Sequence, residues 1–552
     1  MIRGLYRKVL RRTVLVTIAL GASAAFAAQN GSSEDPLLRA LQQEMQRSKA
    51  QLKLEQVATP YYLDYRIFDV DEIEAQASFG GISFNVHNHF RFARVTVRVG
   101  DYRQDSFFDK GEGADTLVPL SDDIVAARHE IWLATDQAYK AAVEALSAKQ
   151  AKLKQFTVDQ SVDDFAHAEA VQHVGRLARL EVDPNPWIAS LRQATSLYKT
   201  DPQVESCNAA LLFRAVNRYF VTSEGTAIRD GQTYFYVHID AATQASDGMR
   251  LERSKGYTVT ALSQLPSQSE FQSKAGELIS SLKAMRDAPM VTEEYRGPVL
   301  FSARAAATVF ANLVGENVLG RKPPLGQPAR TVGAFATSYK SRVLPDIFSV
   351  VDDPTLATIA GQPLLGYYQY DDEGVKAEKV TVIDQGKLAN YVIGRTPIRD
   401  FPVSNGHGRA RIPWNPPGPS LGNLIITAST PLSAAGLKKK LLDLCQQRDL
   451  PYCYYIDTAD SHNTPNLLYR VWVKDGREEL VRGAAFGDLD TRALRNDLVA
   501  AGDDLFAGNR LLNIPHSVVS PSILFDELEV KPDNKNRDKL PEYSPPPLTA
   551  AR

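Results

Sequence analysis

The sequence predicts an α+β protein built from two large domains. Its 552 residues exceed what one hydrophobic core usually serves. The first half mixes long alternating segments with helical ones, whereas the second half consists mainly of short strand-like segments joined by tight turns. We therefore expect an α+β domain of β-hairpins and helices over residues 28–290. A mostly antiparallel, barrel-like β domain with a few helices should follow over residues 291–531, and a polar, Pro-rich tail over residues 532–552.

The first 27 residues have the pattern of a signal peptide. MIRGLYRKVLRR carries five cations and no acid, an apolar run follows, and Ala25-Phe26-Ala27 fits the small-x-small cleavage pattern. We expect cleavage after Ala27 and export, to the periplasm or the medium. A retained anchor is one alternative, although the apolar run is short for a membrane span. Arg11-Arg12 also leaves twin-arginine export open beside the general route.

The charge balance argues against a nucleic-acid-binding protein. The chain has 63 cations and 65 acids. Without the five cations of the signal peptide, 58 cations face 65 acids, which is a net charge near −7. A mildly acidic chain without a basic stripe is a poor partner for nucleic acid. No later apolar run is long enough to span a membrane.

Helical spacing and alternation place the elements of the first half. A helix should follow Asp35, which is a suitable N-cap. A long hairpin should turn at Gly80-Gly81. Helical composition covers residues 122–156, and we expect it to continue over residues 161–195. The remaining predicted elements are antiparallel strands in LLFRAVNRYFVTSEGTAIRDGQTYFYVHIDAATQ and a last helix in SEFQSKAGELISSLKAMRDA.

The second half should begin with the strand GPVLFS and a helix from Ala303 that runs into FANLVGENVLG. Two further segments read as hairpins with tight Gly-containing turns, VTVIDQGKLANYVIGR and LLYRVWVKDGREELVRGA. Between them, SAAGLKKKLLDLCQQ is amphipathic, with Ser433 as its cap.

Three cysteines are too few for a disulfide scaffold. Cys445 and Cys453 flank the loop QQRDLPY. In an oxidising compartment a bridge between them would stabilise the fold by about 2–3 kcal/mol. Two buried thiols fit the sequence equally well.

The second half contains six characteristic segments, in this order along the chain: GPVLF, AAATVFANLVGENVLG, DIFSVVDDPT, YDDEGVKAEKVTVIDQGKLANYVIGR, SNGHGRAR and PSLGNLIITAS. In this order they resemble the TldD/PmbA family of peptidases and peptidase-like proteins. RVTVRVGDY and NRYFVTSEGT extend the resemblance into the first half, so that it spans nearly the whole mature chain.

The resemblance implies a zinc site whose ligands this chain lacks. Active members carry an HExxxH helix and a cysteine near the chain end as zinc ligands, with the glutamate as general base. Here Ala311 stands at the first histidine position, Asn312 at the glutamate and Glu316 at the second histidine, and no cysteine follows Cys453. Alanine has no ligand atom and an amide is no general base at neutral pH. We therefore expect neither catalytic residues at these positions nor a bound metal cofactor.

Two other groups of residues are candidate binding sites. His87 and His89 have the spacing of one strand face, which fits either a metal pair or a solvated polar face. Ser404, Gly406 and His407 lie in the Gly-rich SNGHGRAR, which fits either a loop that approaches a peptide backbone or a turn with an exposed histidine. The acidic run DDEG is interpreted as a structural turn rather than a cation loop.

Three functions remain open from the sequence. The favoured one is an exported, non-catalytic relative of the metallopeptidases, linked to proteolysis, that binds peptide or unfolded polypeptide. By the resemblance it would form a homodimer or a heterodimer with an HExxxH-bearing relative. An active metallopeptidase with a relocated site, using Glu316 with His407, His238 or His87/His89, is the second. An envelope interaction protein that retains only the fold is the third.

Overall fold

The computed structural model describes residues 35–53, 55, 57, 59–121, 123–155, 162–411, 415–511, 514–533 and 537–548. The expected signal peptide and its cleavage after Ala27 lie outside these residues. The architecture is α+β, as predicted. Within the described residues, no helix is both long and apolar enough to cross a membrane.

The N-terminal half is built on one seven-stranded sheet, in the order β3-β2-β1-β5-β6-β4, with β7 paired to β6 beside β4. Its helices are α1 (Pro36–Gln51), α2 (Ile124–Leu153), α3 (Asn185–Thr195) and α4 (Gln268–Asp287). Its strands are β1 (Pro60–Ser78), β2 (Gly81–Val99), β3 (Ala114–Val118), β4 (Gln172–Val174), β5 (Val204–Thr222), β6 (Ala227–Gln244) and β7 (Arg250–Val259).

The two faces of this sheet have different roles. Odd-numbered residues of β1, such as Tyr65 and Ile67, pack with α1 and α2, and Ile73 and Ala75 lie in the cluster formed with α3 and α4. The even-numbered residues point to the other face because side chains alternate along a strand. That face meets the C-terminal half, where Phe68 and its neighbours pack against Leu365 and Leu511.

The C-terminal half contains two larger sheets, in the orders β13-β12-β9-β16-β23-β22 and β19-β18-β17-β8-β24-β20, with β21 on β24. Its helices are α5 (Ala303–Leu313), α6 (Ala434–Gln447) and α7 (Thr491–Asn496). Its strands are β8 (Tyr295–Phe301), β9 (Phe348–Asp352), β10 (Thr358–Ile359), β11 (Gln362–Pro363), β12 (Val380–Asp384), β13 (Lys387–Leu388), β14 (Gly408–Arg409), β15 (Gly418–Pro419), β16 (Asn423–Ala428), β17 (Tyr452–Ser461), β18 (Thr464–Trp472), β19 (Glu478–Val481), β20 (Ala484–Phe486), β21 (Leu498–Ala501), β22 (Phe506–Arg510), β23 (His516–Ser520) and β24 (Ile523–Pro532).

A single core joins these two sheets, and α5 lies within it. Its residues Val309 and Phe310 are fully buried together with Val350 of β9 and Phe525 of β24. The pairing is mostly antiparallel, as predicted, but β16 pairs with β23 and β8 with β17 in parallel. α5 follows β8 directly in the chain, and Ser302 caps it by accepting a hydrogen bond from the Ala305 amide at 3.1 Å.

One predicted helix is wrong. Residues 162–171 have no regular structure, β4 follows, and α3 begins only at Asn185. Gly175 and the prolines at 184 and 186 interrupt the composition that favoured a helix, because proline cannot continue a helix from within. The segment instead lies along the sheet, where β4 pairs in parallel with β6.

Cys445 and Cys453 form a disulfide in the structure, with an S–S distance of 2.03 Å and a Cα–Cα distance of 6.2 Å. The bridge joins the last turn of α6 to the second residue of β17. Cys207 is a free, buried thiol of β5.

The two halves are joined by a network of buried charges. Arg66 of β1 donates to the Asp372 carbonyl at 2.6 Å, and Arg218 of β5 donates to the Asp372 carboxylate at 2.6 Å. From the C-terminal half, Arg395 donates to both carboxylate oxygens of Glu224 in the N-terminal half, at 2.7 and 2.8 Å. The acidic run that we interpreted as a structural turn is thus the point where arginines of the N-terminal sheet attach.

Asp371 makes this junction sensitive to pH. Burial and the neighbouring Glu373 raise the pKa of Asp371 to about 7 from 3.8. A carboxyl that keeps its proton longer in the folded state stabilises the fold fully at low pH and loses this contribution as the pH rises. We expect the free energy of unfolding to fall between about pH 4 and 7, by at most about 1.4 kcal/mol per pH unit for this group.

Denaturant titrations of wild type and Asp371→Asn across this range measure the effect. The variant should show a shallower decline, because it has no proton to lose at this position. Equal slopes in the two proteins would contradict the assignment. Asp372 does not interfere, because its arginine neighbours outweigh burial and lower its pKa.

Candidate functional site

One face of the helix α5 is polar and partly exposed to solvent, whereas the rest of the helix is buried. Arg304, Thr308 and Asn312 keep part of their surface exposed, while the other α5 residues from Ala305 to Leu313 are buried. The spacing of four residues puts these three side chains on one face. Glu316, in the short 3-10 turn that follows, is exposed.

The residues at the zinc-motif positions do not fit a zinc ion. Ala311 is only 6% exposed and packs in the core that joins the two C-terminal sheets. Asn312 offers a neutral amide, and Glu316 pairs with Arg321 at 3.1 Å. Throughout the described part of the chain, no three His, Cys, Asp or Glu side chains converge in a way that would hold a metal. The usual Zn²⁺ donor set of thiolates and imidazoles is thus not assembled here.

The candidate histidines of β2 and β6 each lie beside an aspartate. His87 Nε2 lies 2.6 Å from Asp71, and His89 Nε2 lies 2.6 Å from Asp69, both across the β1–β2 hairpin. His238 lies 3.6 Å from Asp240 on β6, and burial lowers its pKa. The two histidines of β2 do share a strand face, as their spacing predicts, but each is matched with its own carboxylate.

The SNGHGRAR loop packs most of its side chains into the interior of the protein. His407 is fully buried, so the expectation of an exposed turn is wrong, and the side chain has no surface to offer a peptide. Its Nε2 lies 3.1 Å from Asp352 and its Nδ1 lies 2.9 Å from the Asn405 carbonyl. Ser404 donates to the Ile393 carbonyl at 3.1 Å, and Gly406 takes a φ of +75° that favours glycine. The loop residues Ser404, Gly406 and His407 therefore form internal contacts.

The Asp352–His407 pair should be structural. Both side chains have no exposed surface. Asp352 Oδ1 also accepts hydrogen bonds from the Gly422 and Asn423 amides, at 3.0 and 3.1 Å, so His407→Ala removes one of three partners of a buried carboxylate. We expect the variant to lose about 1–3 kcal/mol of unfolding free energy, as is typical when a buried acceptor loses a hydrogen-bond partner. His87→Ala is the matched control, because its side chain is 62% exposed and a surface pair contributes about 0–1 kcal/mol. Chemical denaturation compares the two, and similar losses would contradict the structural role.

A cleft lies between the two halves, beside the polar stripe of α5. Its cavity volume is about 490 Å³, within the usual range of ligand sites. The N-terminal wall is β7, and the opposite wall is formed by β22, Gln362-Pro363 and the first turns of α5. The cleft also reaches Thr458–Asp460 on β17.

Both long walls are edge strands. Among the strands of the described residues, β7 pairs only with β6, and β22 pairs only with β23. The edge of β22 is partly covered, because Gln362 donates to the Leu505 carbonyl and accepts from the Ala507 amide, each at 3.0 Å. A sheet edge that keeps unpaired backbone groups is a template for another strand.

The edge of β7 is covered at its ends and open in the middle. The carbonyl of Glu252 accepts from Asn466 at 3.0 Å, and the carbonyl of Thr258 accepts from Asn509 at 3.0 Å. Backbone groups alternate along a strand with a period of two, so Ser254 and Gly256 face the same side. Both residues are exposed. Within the described residues, their backbone groups have no partner outside the β6–β7 ladder.

This cleft was not predicted from the sequence, because it is formed by strands about 250 residues apart in the chain and contains no ligand motif. The one local signal was the alternation of cations in RLERSKGYTV, which contains Arg253 and Lys255.

Comparison with known proteins agrees with this fold. Residues 292–532 match the family model described as the PmbA/TldA metallopeptidase C-terminal domain. A metalloprotease of Archaeoglobus fulgidus is 31% identical over 80 residues, which cover 14% of this chain and 17% of that protein. The match thus spans less than a fifth of this curated relative.

Solved structures extend the likeness to both halves. TldE of Thermococcus kodakarensis superposes with a TM-score of 0.59 and 13% identity over 89% of this chain and 100% of that one. A protein of Thermotoga maritima described as a candidate modulator of a DNA gyrase gives 0.59 and 14%, over 89% of this chain and 99% of that one. A counterpart from Bacteroides thetaiotaomicron gives 0.58 and 11%, over 90% and 98%. At these identities the superpositions establish the fold.

Proposed function

Because this chain belongs to the TldD/PmbA family through its C-terminal half, we propose that it is a metallopeptidase-related protein that binds peptides without cleaving them. The observation that carries the proposal is the open stretch of β7 between Glu252 and Thr258, the two residues whose carbonyls are capped by Asn466 and Asn509. An extended peptide laid along it would find unpaired backbone groups at Ser254 and Gly256. Strand addition of this kind supplies affinity from main-chain hydrogen bonds and needs no metal.

The dimensions of the cleft support this mode. Asn466 and Asn509 contact residues six positions apart on β7, and at about 3.3 Å per residue this spans about 20 Å. A segment of four to six residues fits between them. The facing edge of β22 is capped by Gln362, so one added strand, paired with β7, is the arrangement that the hydrogen bonds favour.

The non-catalytic part of the proposal is supported by the donor set. Ala311 and Asn312 supply neither a zinc ligand nor a general base, and Glu316 points to solvent beside Arg321. We further propose that the protein acts after export, in the periplasm or outside the cell. It would act as a homodimer or as the partner of an HExxxH-bearing relative.

The metal content tests the non-catalytic proposal. We expect elemental analysis of protein purified without a chelating tag, then incubated with zinc, to give a zinc ratio near zero. Peptide hydrolysis should be equally absent in wild type and in Glu316→Ala. A ratio near one, together with hydrolysis that Glu316→Ala abolishes, would establish an active site that uses this residue.

Gly256→Pro tests strand addition. Proline removes the amide that faces the cleft and obstructs pairing at that edge, while leaving the remaining ladder positions of β6 and β7 in place. We expect affinity for an extended peptide to fall about tenfold or more, as the loss of one buried hydrogen bond and its neighbours implies. Fluorescence anisotropy with labelled peptides measures the change.

Gly256→Ala is the matched control. An added Cβ would lie 3.5 Å from His238 and 3.6 Å from Tyr236, which is ordinary contact, and the amide is retained. This variant should bind peptide like wild type. If both variants bind as wild type does, the peptide does not pair with β7.

A further inference from the structure

The cleft is cationic although the chain as a whole is slightly acidic. Its lining contains Arg253, Lys255, Arg304 and Arg510 against one carboxylate, Asp460. The full sequence has a net charge of −2. The cationic residues come from three elements, β7, α5 and β22, and thus converge only in the folded protein.

Among the described residues, none of these four side chains forms an ion pair with a carboxylate. Arg253 donates to Ser281 at 3.2 Å and to Thr458 at 3.0 Å, both neutral hydroxyls, and also to the amide oxygen of Asn466. The side chains of Lys255, Arg304 and Arg510 have no hydrogen bond or ion pair with any residue that the structure describes. Lys255 does lie over the Tyr257 ring, at 5.2 Å.

The surroundings disfavour the positive charges. Burial lowers the pKa of Arg253 and of Lys255, and the charge of Arg304 lowers both further, while the nearby carboxylate of Asp457 offsets this only in part. Burial also lowers the pKa of Arg510, which Glu316 only partly offsets. Cations that are partly desolvated and repel one another gain most from an anion placed among them.

We propose that the cleft selects a carboxylate on the bound peptide, held by Arg304 and Lys255, with Arg510 adding positive charge from the β22 wall. The inference rests on the peptide-binding function proposed above and specifies its ligand. The carboxylate has two possible sources, an acidic side chain or the C-terminal end of the peptide. Arginine's planar fork binds a carboxylate through two parallel hydrogen bonds, so both sources suit the site.

Three short extended peptides distinguish the cases in binding assays with the purified chain. One carries Asp and Glu side chains and an amidated end, the second is neutral with a free carboxylate, and the third is neutral and amidated. We expect the first or the second to bind about tenfold or more tightly than the third. The tighter of the two identifies the source.

Arg304→Gln combined with Arg510→Gln should abolish this preference, so that the three peptides bind with similar affinity. Arg492→Gln combined with Arg495→Gln, at two exposed positions of α7, removes the same charge away from the cleft and should keep the preference. Lys255→Gln alone should weaken it, which provides a second variant if the double one unfolds; thermal unfolding checks both.

The outcomes separate this inference from the proposed function. Equal binding of all three peptides, or a preference that survives in the double variant, would overturn carboxylate selection while peptide binding stands. Failure of all three peptides to bind would overturn both.

Discussion

The arrangement of the molecule depends on the buried charges between its halves. Arg66 and Arg218 reach from the N-terminal sheet to the loop at Asp372, and Arg395 reaches back to Glu224. Such groups are costly to bury unless they are matched closely, so the two halves have little freedom to shift relative to each other. The cleft lies between the same two halves, with walls from β7 on one side and β22 and α5 on the other.

The helix α5 is buried on most of its surface and offers no metal ligands at the positions that the sequence singled out. A histidine at position 311 would have to leave the core, where Ala311 now packs. The polar stripe of Arg304, Thr308 and Asn312 still faces outward, and its first two members line the cleft. The helix thus contributes charge and surface to the wall of the cleft, which is consistent with the binding role that we propose.

Much of the fold could be predicted from the sequence, because hairpins, caps and helices are local properties. Asp35 and Ser433 cap their helices and the hairpin turns at Gly80-Gly81, as predicted. The helix predicted over residues 161–195 is confined to Asn185–Thr195, because proline at 184 cannot lie within a helix.

The sites were harder to predict because they depend on distant partners. The Gly-rich composition of SNGHGRAR predicts an exposed loop. In the structure His407 is buried against Asp352, which lies 55 residues earlier in the chain. The same applies to β7, whose free edge is defined by Asn466 and Asn509 more than 200 residues away. The spacing of Arg253 and Lys255 is visible in the sequence, but nothing local indicates that Arg304 and Arg510 line the same cleft.

The most direct test of the central claim is amide hydrogen exchange across β7 with and without a bound peptide. If a peptide adds as a strand, the segment from Arg253 to Tyr257 should exchange more slowly in the complex, because the free amides of Ser254 and Gly256 become hydrogen-bonded. Saturating binding that leaves exchange in this segment unchanged would contradict the account and place the peptide elsewhere.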